Sequence, residues 1–171
     1  MTSSFEDWKA SDSSVDAVVA VNSLLWVNPD AQFTKPARLL RRGGTMAVAS
    51  CRWVAPEDPD PFLEAVQEDY RAVGYAGAPP PPPDRIESWH FPPDAGGRFS
   101  EVLIRRYRFS LTLSAEAFVA NLATQSTTRQ LGPALAGSFL GRVKDRLAAM
   151  AVHEVTRPYI GLLTVGRVTI R

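Results

Sequence analysis

The stretch Ala37–Ser50, "ARLLRRGGTMAVAS", decides the reading of this chain. Ala37 and Leu40 fall at helical spacing and lead into Gly43-Gly44, and a helix C-terminus favours a residue that tolerates positive φ. The next residues, "TMAVAS" (Thr45–Ser50), form a short apolar run, the texture of a strand buried on both faces of a parallel sheet. Upstream, "DAVVAVNSLL" (Asp16–Leu25) opens with a run of the same kind. Between the two lies "WVNPDAQFTKPARLLRRGG", with Phe33, Ala37 and Leu40 at helical spacing and Asn28 placed as N-cap before Pro29-Asp30. Pro36 falls inside that helix and predicts a kink or a late start. Strand, helix, glycine turn and strand make a βαβ unit, whose crossover is expected to be right-handed.

Beyond Cys51 the texture changes. "APEDPDP" is a loop, and "PFLEAVQEDYRAVG" is an amphipathic helix ended by Gly74. "APPPPPD" (Ala78–Asp84) reads as a stiff polyproline connection or a ligand for a proline-recognising partner. "RFSEVLIRRYRFSLTL" (Arg98–Leu113) alternates as a strand, with a phase slip near Arg105-Arg106 that predicts a bulge or bend. Helices follow in "SAEAFVANLATQS" and "GSFLGRVKDRLAAMA", and "EVTRPYIGLLTVGRVTI" closes the chain as a strand. The order β-α-β, helical insertion, β-α-α-β defines an α/β chain whose strands begin parallel and finish antiparallel.

Composition narrows the class. The chain has 171 residues, 45% of them apolar, enough for one domain with a real core. No apolar run is long enough to span a membrane, and the acidic, polar N-terminus "MTSSFEDWKASDSS" lacks the pattern of a secretory signal. A lone cysteine, Cys51, forms no internal disulfide and fits a reducing, cytoplasmic setting. At the end of a strand it reads as buried and inert. Residues 1–97 carry eight Lys/Arg and fourteen Asp/Glu; residues 98–171 carry eleven and four. Two halves of one domain neutralising each other explain that split, as would an anionic partner. The basic residues lack the interleaved aromatics of a nucleic-acid platform, so neither nucleic acid nor membrane is expected as a partner.

Taken with "FEDWKASDSSVDAVVAVNSLLWVNPDAQFTKPARLLRRGGTMAVAS", the later "FSEVLIRRYRFSLTLSAEAFVANLATQST" and "VTRPYIGLLTVGR" resemble the C-terminal part of a class I S-adenosylmethionine-dependent methyltransferase of the small-molecule type 11 kind. The resemblance covers most of the chain. It implies a partial Rossmann-like sheet made of the family's last four strands, the final one antiparallel, with flanking helices and a helical, proline-rich insertion. The expected organisation is one incomplete methyltransferase-like domain: a βαβ part at 1–54, a cover at 55–97, and C-terminal strands and helices at 98–171. Arg42 stands where the family has Pro, and Leu25 where relatives often carry His before the Trp. The family's Gly-rich cofactor turn, and the acidic residue that holds the ribose, are expected upstream of this text.

Ligands of open α/β sheets sit beyond the carboxyl ends of the strands. Asn22 and Ser23, at the end of the first strand, are therefore placed to approach methyl donor or substrate, with Val21 as backbone wall; capping and turning the strand is their other reading. Trp26 would wall a substrate pocket or pack in the core. By the resemblance, Ser4, Phe5 and Glu6 lie against the adenine of S-adenosylmethionine, with Ser4 in the place of the usual acidic residue. Within the cover, His90 beside Trp89 is either a general base for an O- or N-nucleophile or a surface histidine. His153, at a helix end, suits a helix dipole better than catalysis. No histidine or cysteine spacing indicates a metal site. Trp89, Phe91 and Tyr70 suggest an apolar or aromatic acceptor; Arg105, Arg106 and Arg108 favour an acid.

The implied activity is methyl transfer to a small molecule, with this chain truncated and inactive alone; the alternative is a non-catalytic, methyltransferase-like interaction or regulatory subunit. In the family the first strand pairs with a strand expected upstream. Its free apolar edge therefore predicts a homodimer, or pairing with a partner chain that supplies the N-terminal part.

Overall fold

In the computed structural model, which describes residues 3–75, 79–91 and 98–169, β1 (Val15–Val21) runs parallel to β2 (Leu40–Trp53). The connection holds two short helices, α1 (Pro29–Gln32) and α2 (Thr34–Leu39). Asn28 caps α1, its side chain accepting from the Asp30 N–H at 3.0 Å. The break at Phe33 is the kink that Pro36 predicts, since proline has no N–H to continue the helix ladder. A four-stranded sheet takes the order β1-β2-β4-β3, where β3 is Phe99–Ser114 and β4 is Glu154–Val168. Ala78, at the head of the polyproline stretch, and residues 92–97 of the expected cover lie outside the described residues.

Gly43-Gly44 does something other than end a helix. Helix α2 stops at Leu39, Leu40 is already extended, and the glycines lie inside β2. Val15 pairs with Leu40 and Ala17 with Thr45, so Arg41–Gly44 bulge out of the ladder. Gly43 takes φ +74°, and a Cβ on Gly44 would meet the Arg41 carbonyl oxygen at 2.8 Å and the Asp16 carbonyl oxygen at 3.1 Å. The first strand also departs from expectation. Only one face of β1 is covered, through Val18 and Ala20 packing with Phe33, Ala37, Met46 and Val48. Val19 and Val21, on the other face, are 66% and 59% exposed, and β1 is also an edge strand of the sheet.

The chain divides into two compact units. The first is Met1–Arg52, Ile86–Arg108 and Ile160–Arg171; the second is Trp53–Arg85 and Phe109–Tyr159. In the first unit Phe91 stacks on Phe99 at 4.6 Å and meets Phe33 edge-on at 5.4 Å. Thr164 donates to the Trp89 carbonyl at 2.8 Å, and Arg106 donates to the Ile86 carbonyl at 2.7 Å. These bonds fasten the segment that precedes β3.

The second unit contains α3 (Pro61–Ala65), α4 (Gln67–Ala72), α5 (Ala115–Thr124), α6 (Ser126–Gln130) and α7 (Gly132–Ala149). Asp60 caps α3 and Ser114 caps α5 through their side-chain oxygens. Here β3 and β4 run antiparallel: the Ala115 N–H donates to the His153 carbonyl, the Thr112 and Thr156 hydroxyls meet at 2.8 Å, and Phe109 stacks on Tyr159. The core is Phe62, Val66, Phe118, Leu122, Phe139 and Val143. Within it Asp69, only 1% exposed, accepts from Arg146 at 2.6 and 3.1 Å and pairs with Arg142 at 3.2 Å. Among the described residues no helix is long and apolar enough to cross a membrane.

Two glycines should therefore respond in opposite ways to alanine. Gly44→Ala forces backbone atoms apart in the bulge and should lose about 1–3 kcal/mol in urea unfolding. Gly137→Ala, in the open on α7 with nothing within 4 Å of its new methyl, should gain about 0.5–1 kcal/mol from helix propensity.

Candidate functional site

In the first unit, the expected cofactor residues fold into a turn. The Ser4 hydroxyl donates to Asp7 Oδ2 at 2.8 Å and accepts from the Asp7 N–H at 3.1 Å. Lys35 of α2 donates to the carbonyls of Phe5, Glu6 and Trp8 at 2.6, 2.8 and 2.7 Å, and its ammonium lies 5.1 Å from the centre of the Phe5 ring. The Glu6 carboxylate accepts from the Asn28 N–H at 2.9 Å, and that bond holds it below the usual carboxylate range. Residues far apart in sequence are thus joined to the segment that follows β1.

At the end of β1, Asn22 adopts φ +50° and its side-chain oxygen accepts from the Cys51 N–H at 2.8 Å. It prolongs the ladder between β1 and β2, the strand-capping reading. Ser23 begins a single 3-10 turn, Leu24–Trp26. Trp26 is 65% exposed, which removes it from the core. Trp89 packs against the first unit's core, 6.5 Å from Phe33, while His90 beside it is exposed. The structure therefore brings Ser4, Phe5 and Glu6 to α1 and α2, and it joins neither Trp89 nor His90 to them by a described bond. Cys51 is half-buried, and burial pushes its thiol up.

The second unit holds a feature that sequence reasoning missed. Trp53, Gln67, Tyr70, Tyr75, Gln125 and Arg157 line a cavity of about 120 Å³. Trp53, Gln67 and Pro80 also border a second hollow of about 260 Å³, whose other walls include Leu63 and Pro79. Arg157 is 4% exposed. Its guanidinium lies flat over Trp53, 3.7 Å from the ring centre, with Phe118 at 5.5 Å. Three buried donors here have no partner in the protein: Arg157 Nε, Arg157 Nη1 and Trp53 Nε1. A signal existed in β4. Val155 and Arg157 are buried while Thr156 is exposed, so a permanent cation stands in the phase of the core.

With its parallel opening pair and antiparallel final strands, the chain has the Rossmann-like α/β fold of class I methyltransferases. A protein described as a candidate type II methyltransferase from Anaeromyxobacter dehalogenans superposes with a TM-score of 0.56 at 18% identity, over 95% of this chain and 68% of that one. MccD superposes with a TM-score of 0.44 at 16% identity, over 95% of this chain and 64% of its own length. A candidate methyltransferase from Bacillus halodurans gives 0.42 at 13%, over 96% and 69%. No family model matches the sequence, and no curated protein matches it. Among the described residues no group of three His, Cys, Asp or Glu side chains could hold a metal ion.

Tyr70 provides a probe of the cavity. Burial raises its phenol above the ordinary value, against the opposing pull of the Arg157 charge. Its proton is thus held more tightly in the folded state than in the unfolded one. The associated stability is intact below the unfolded pKa and is lost as pH rises through the folded one. Absorbance titration of tyrosinate should show a step displaced to alkaline pH that Tyr70→Phe removes.

Proposed function

We propose that this chain provides the acceptor-binding part of an S-adenosylmethionine-dependent methyltransferase acting on a small molecule in the cytoplasm. The fold carries this reading. S-adenosylmethionine supplies an electrophilic methyl on a sulfonium, and catalysis of its transfer consists largely of holding donor and nucleophile in line. The chain's own residues do not make a complete donor site. Glu6 is occupied by the Asn28 N–H, Ser4 by Asp7 and Asn22 by the Cys51 N–H. Phe5, Val21 and Trp26 remain as a wall for the donor, with Ser23 at the start of the turn beside them.

The edge of β1 is the second element of the proposal. Beside it, Val19 and Val21 are exposed on the uncovered face of the strand, with Leu25 and Trp26 following. An unpaired apolar strand edge pairs readily with another chain. We propose that the strands completing the donor site add at this edge, either from a partner chain or, in their absence, from a second copy. A non-catalytic interaction subunit would use the same edge, and the committed polar side chains of the N-terminal turn favour keeping that alternative in the test.

Calorimetry with S-adenosylhomocysteine, together with light scattering, tests the incomplete donor site and the role of the β1 edge. The chain alone should bind weaker than about 100 μM, roughly −5.5 kcal/mol, and should scatter light as a dimer or larger species. Micromolar binding by the chain alone would show a complete donor site. A stable monomer in light scattering would remove the role given to the β1 edge.

A further inference from the structure

The cavity around Arg157 is bordered by residues holding three buried donors without a protein partner. We propose that it is a carboxylate-recognition subsite, in which Arg157 and Trp53 read the acid group of a small apolar or aromatic monocarboxylate; its role as the acceptor subsite rests on the methyltransferase reading above.

The argument starts from charge. Guanidinium is protonated at every accessible pH, and a buried charge is costly unless paired and hydrogen-bonded. Arg157 is buried, yet Nε and Nη1 find no acceptor in the protein. The buried carboxylate of this unit, Asp69, is taken by Arg146 and Arg142. Stacking on Trp53 compensates the face of the guanidinium. It leaves Nε–H and Nη1–H without acceptors, each able to give one charge-assisted hydrogen bond to a carboxylate oxygen. The Trp53 Nε1–H, equally buried and unpartnered, adds a third donor at the same cavity.

Shape and polarity then define the rest of the ligand. The Tyr70 hydroxyl, itself in hydrogen-bond reach of Arg157, borders the cavity, and Tyr75 with Pro80 supplies apolar wall. The adjoining hollow is lined largely by Trp53, Pro56, Pro59, Leu63 and Pro79, which suits an aromatic or branched apolar body. Glu57 and Glu64 border that hollow as well. They disfavour a second negative charge at the far end, so a monocarboxylate fits better than a dicarboxylate.

Benzoate, benzamide and phthalate test this on the native chain by calorimetry, with Trp fluorescence as a second readout. Benzoate should bind. Benzamide, of the same shape without the charge, should bind about tenfold or more weakly, and phthalate should also bind more weakly, each tenfold corresponding to about 1.4 kcal/mol. Arg157→Lys keeps a cation but loses the directed Nε–H and Nη1–H groups, and should weaken benzoate about tenfold or more. Trp53→Phe keeps the ring but loses the N–H, and should weaken it several-fold. Equal affinity for benzoate and benzamide would overturn the proposal. So would failure of the native chain to bind benzoate at concentrations up to about 10 mM, or benzoate binding unchanged in Arg157→Lys. Inorganic phosphate binding as tightly as benzoate would show a general anion site and overturn the carboxylate assignment. None of these measurements requires S-adenosylmethionine, so the subsite and the methyltransferase reading stand or fall separately.

Discussion

Asp69 organises the second unit. A carboxylate with 1% exposure survives burial only if its charge is met, and two arginines of α7 meet it. The Arg146 contact is bidentate, the geometry that gives such pairs both strength and direction. Breaking a buried pair of this kind costs about 3–5 kcal/mol, because the surviving charge is stranded. The bond fixes α4 against α7, and α4 carries Gln67 and Tyr70 on the wall of the cavity. It also settles an electrostatic question. With Asp69 committed to α7, it is not the counterion of Arg157, and that guanidinium keeps two donors for something else.

The βαβ opening was legible because each of its signals has a local cause. Asn28 caps because its side chain reaches the Asp30 N–H, and Pro36 breaks the helix because it lacks a donor. Gly43-Gly44 was misread for an equally physical reason. A glycine pair after a helix suits a C-terminal cap and a β-bulge alike, since both need positive φ. Only the close approach of the Asp16 and Arg41 carbonyls, a tertiary fact, distinguishes them. The exposure of Val19 and Val21 was likewise hidden in the run "VVAV". Period-two burial cannot be read where both faces are apolar, and which face is covered depends on the sheet order.

The candidate donor residues show a different limit. Ser4, Glu6 and Asn22 are each engaged within the chain through their side chains. Sequence supplies the type of residue and its neighbourhood. It does not say whether a carboxylate or amide is available or already bonded. Lys35 is the clearest case: nothing in "FTKPARL" announces that its ammonium collects three carbonyls of the N-terminal turn.

Arg157 lies between these cases. Val155 and Arg157 share the buried phase of β4, and an arginine in the core phase of a strand needs a physical reason. Three accounts are available: an internal counterion, a water-exposed tip, or a ligand. Asp69, the buried carboxylate of this unit, is committed to α7, which argues against the first, and 4% exposure argues against the second. Stacking on Trp53 stabilises the face of the guanidinium without using its N–H groups. A hydrophobic residue of similar volume would pack there without leaving donors unpaired, and such replacements are often neutral or stabilising. That a fold keeps the costlier residue, beside an indole N–H in the same condition, is what gives the cavity its chemical meaning.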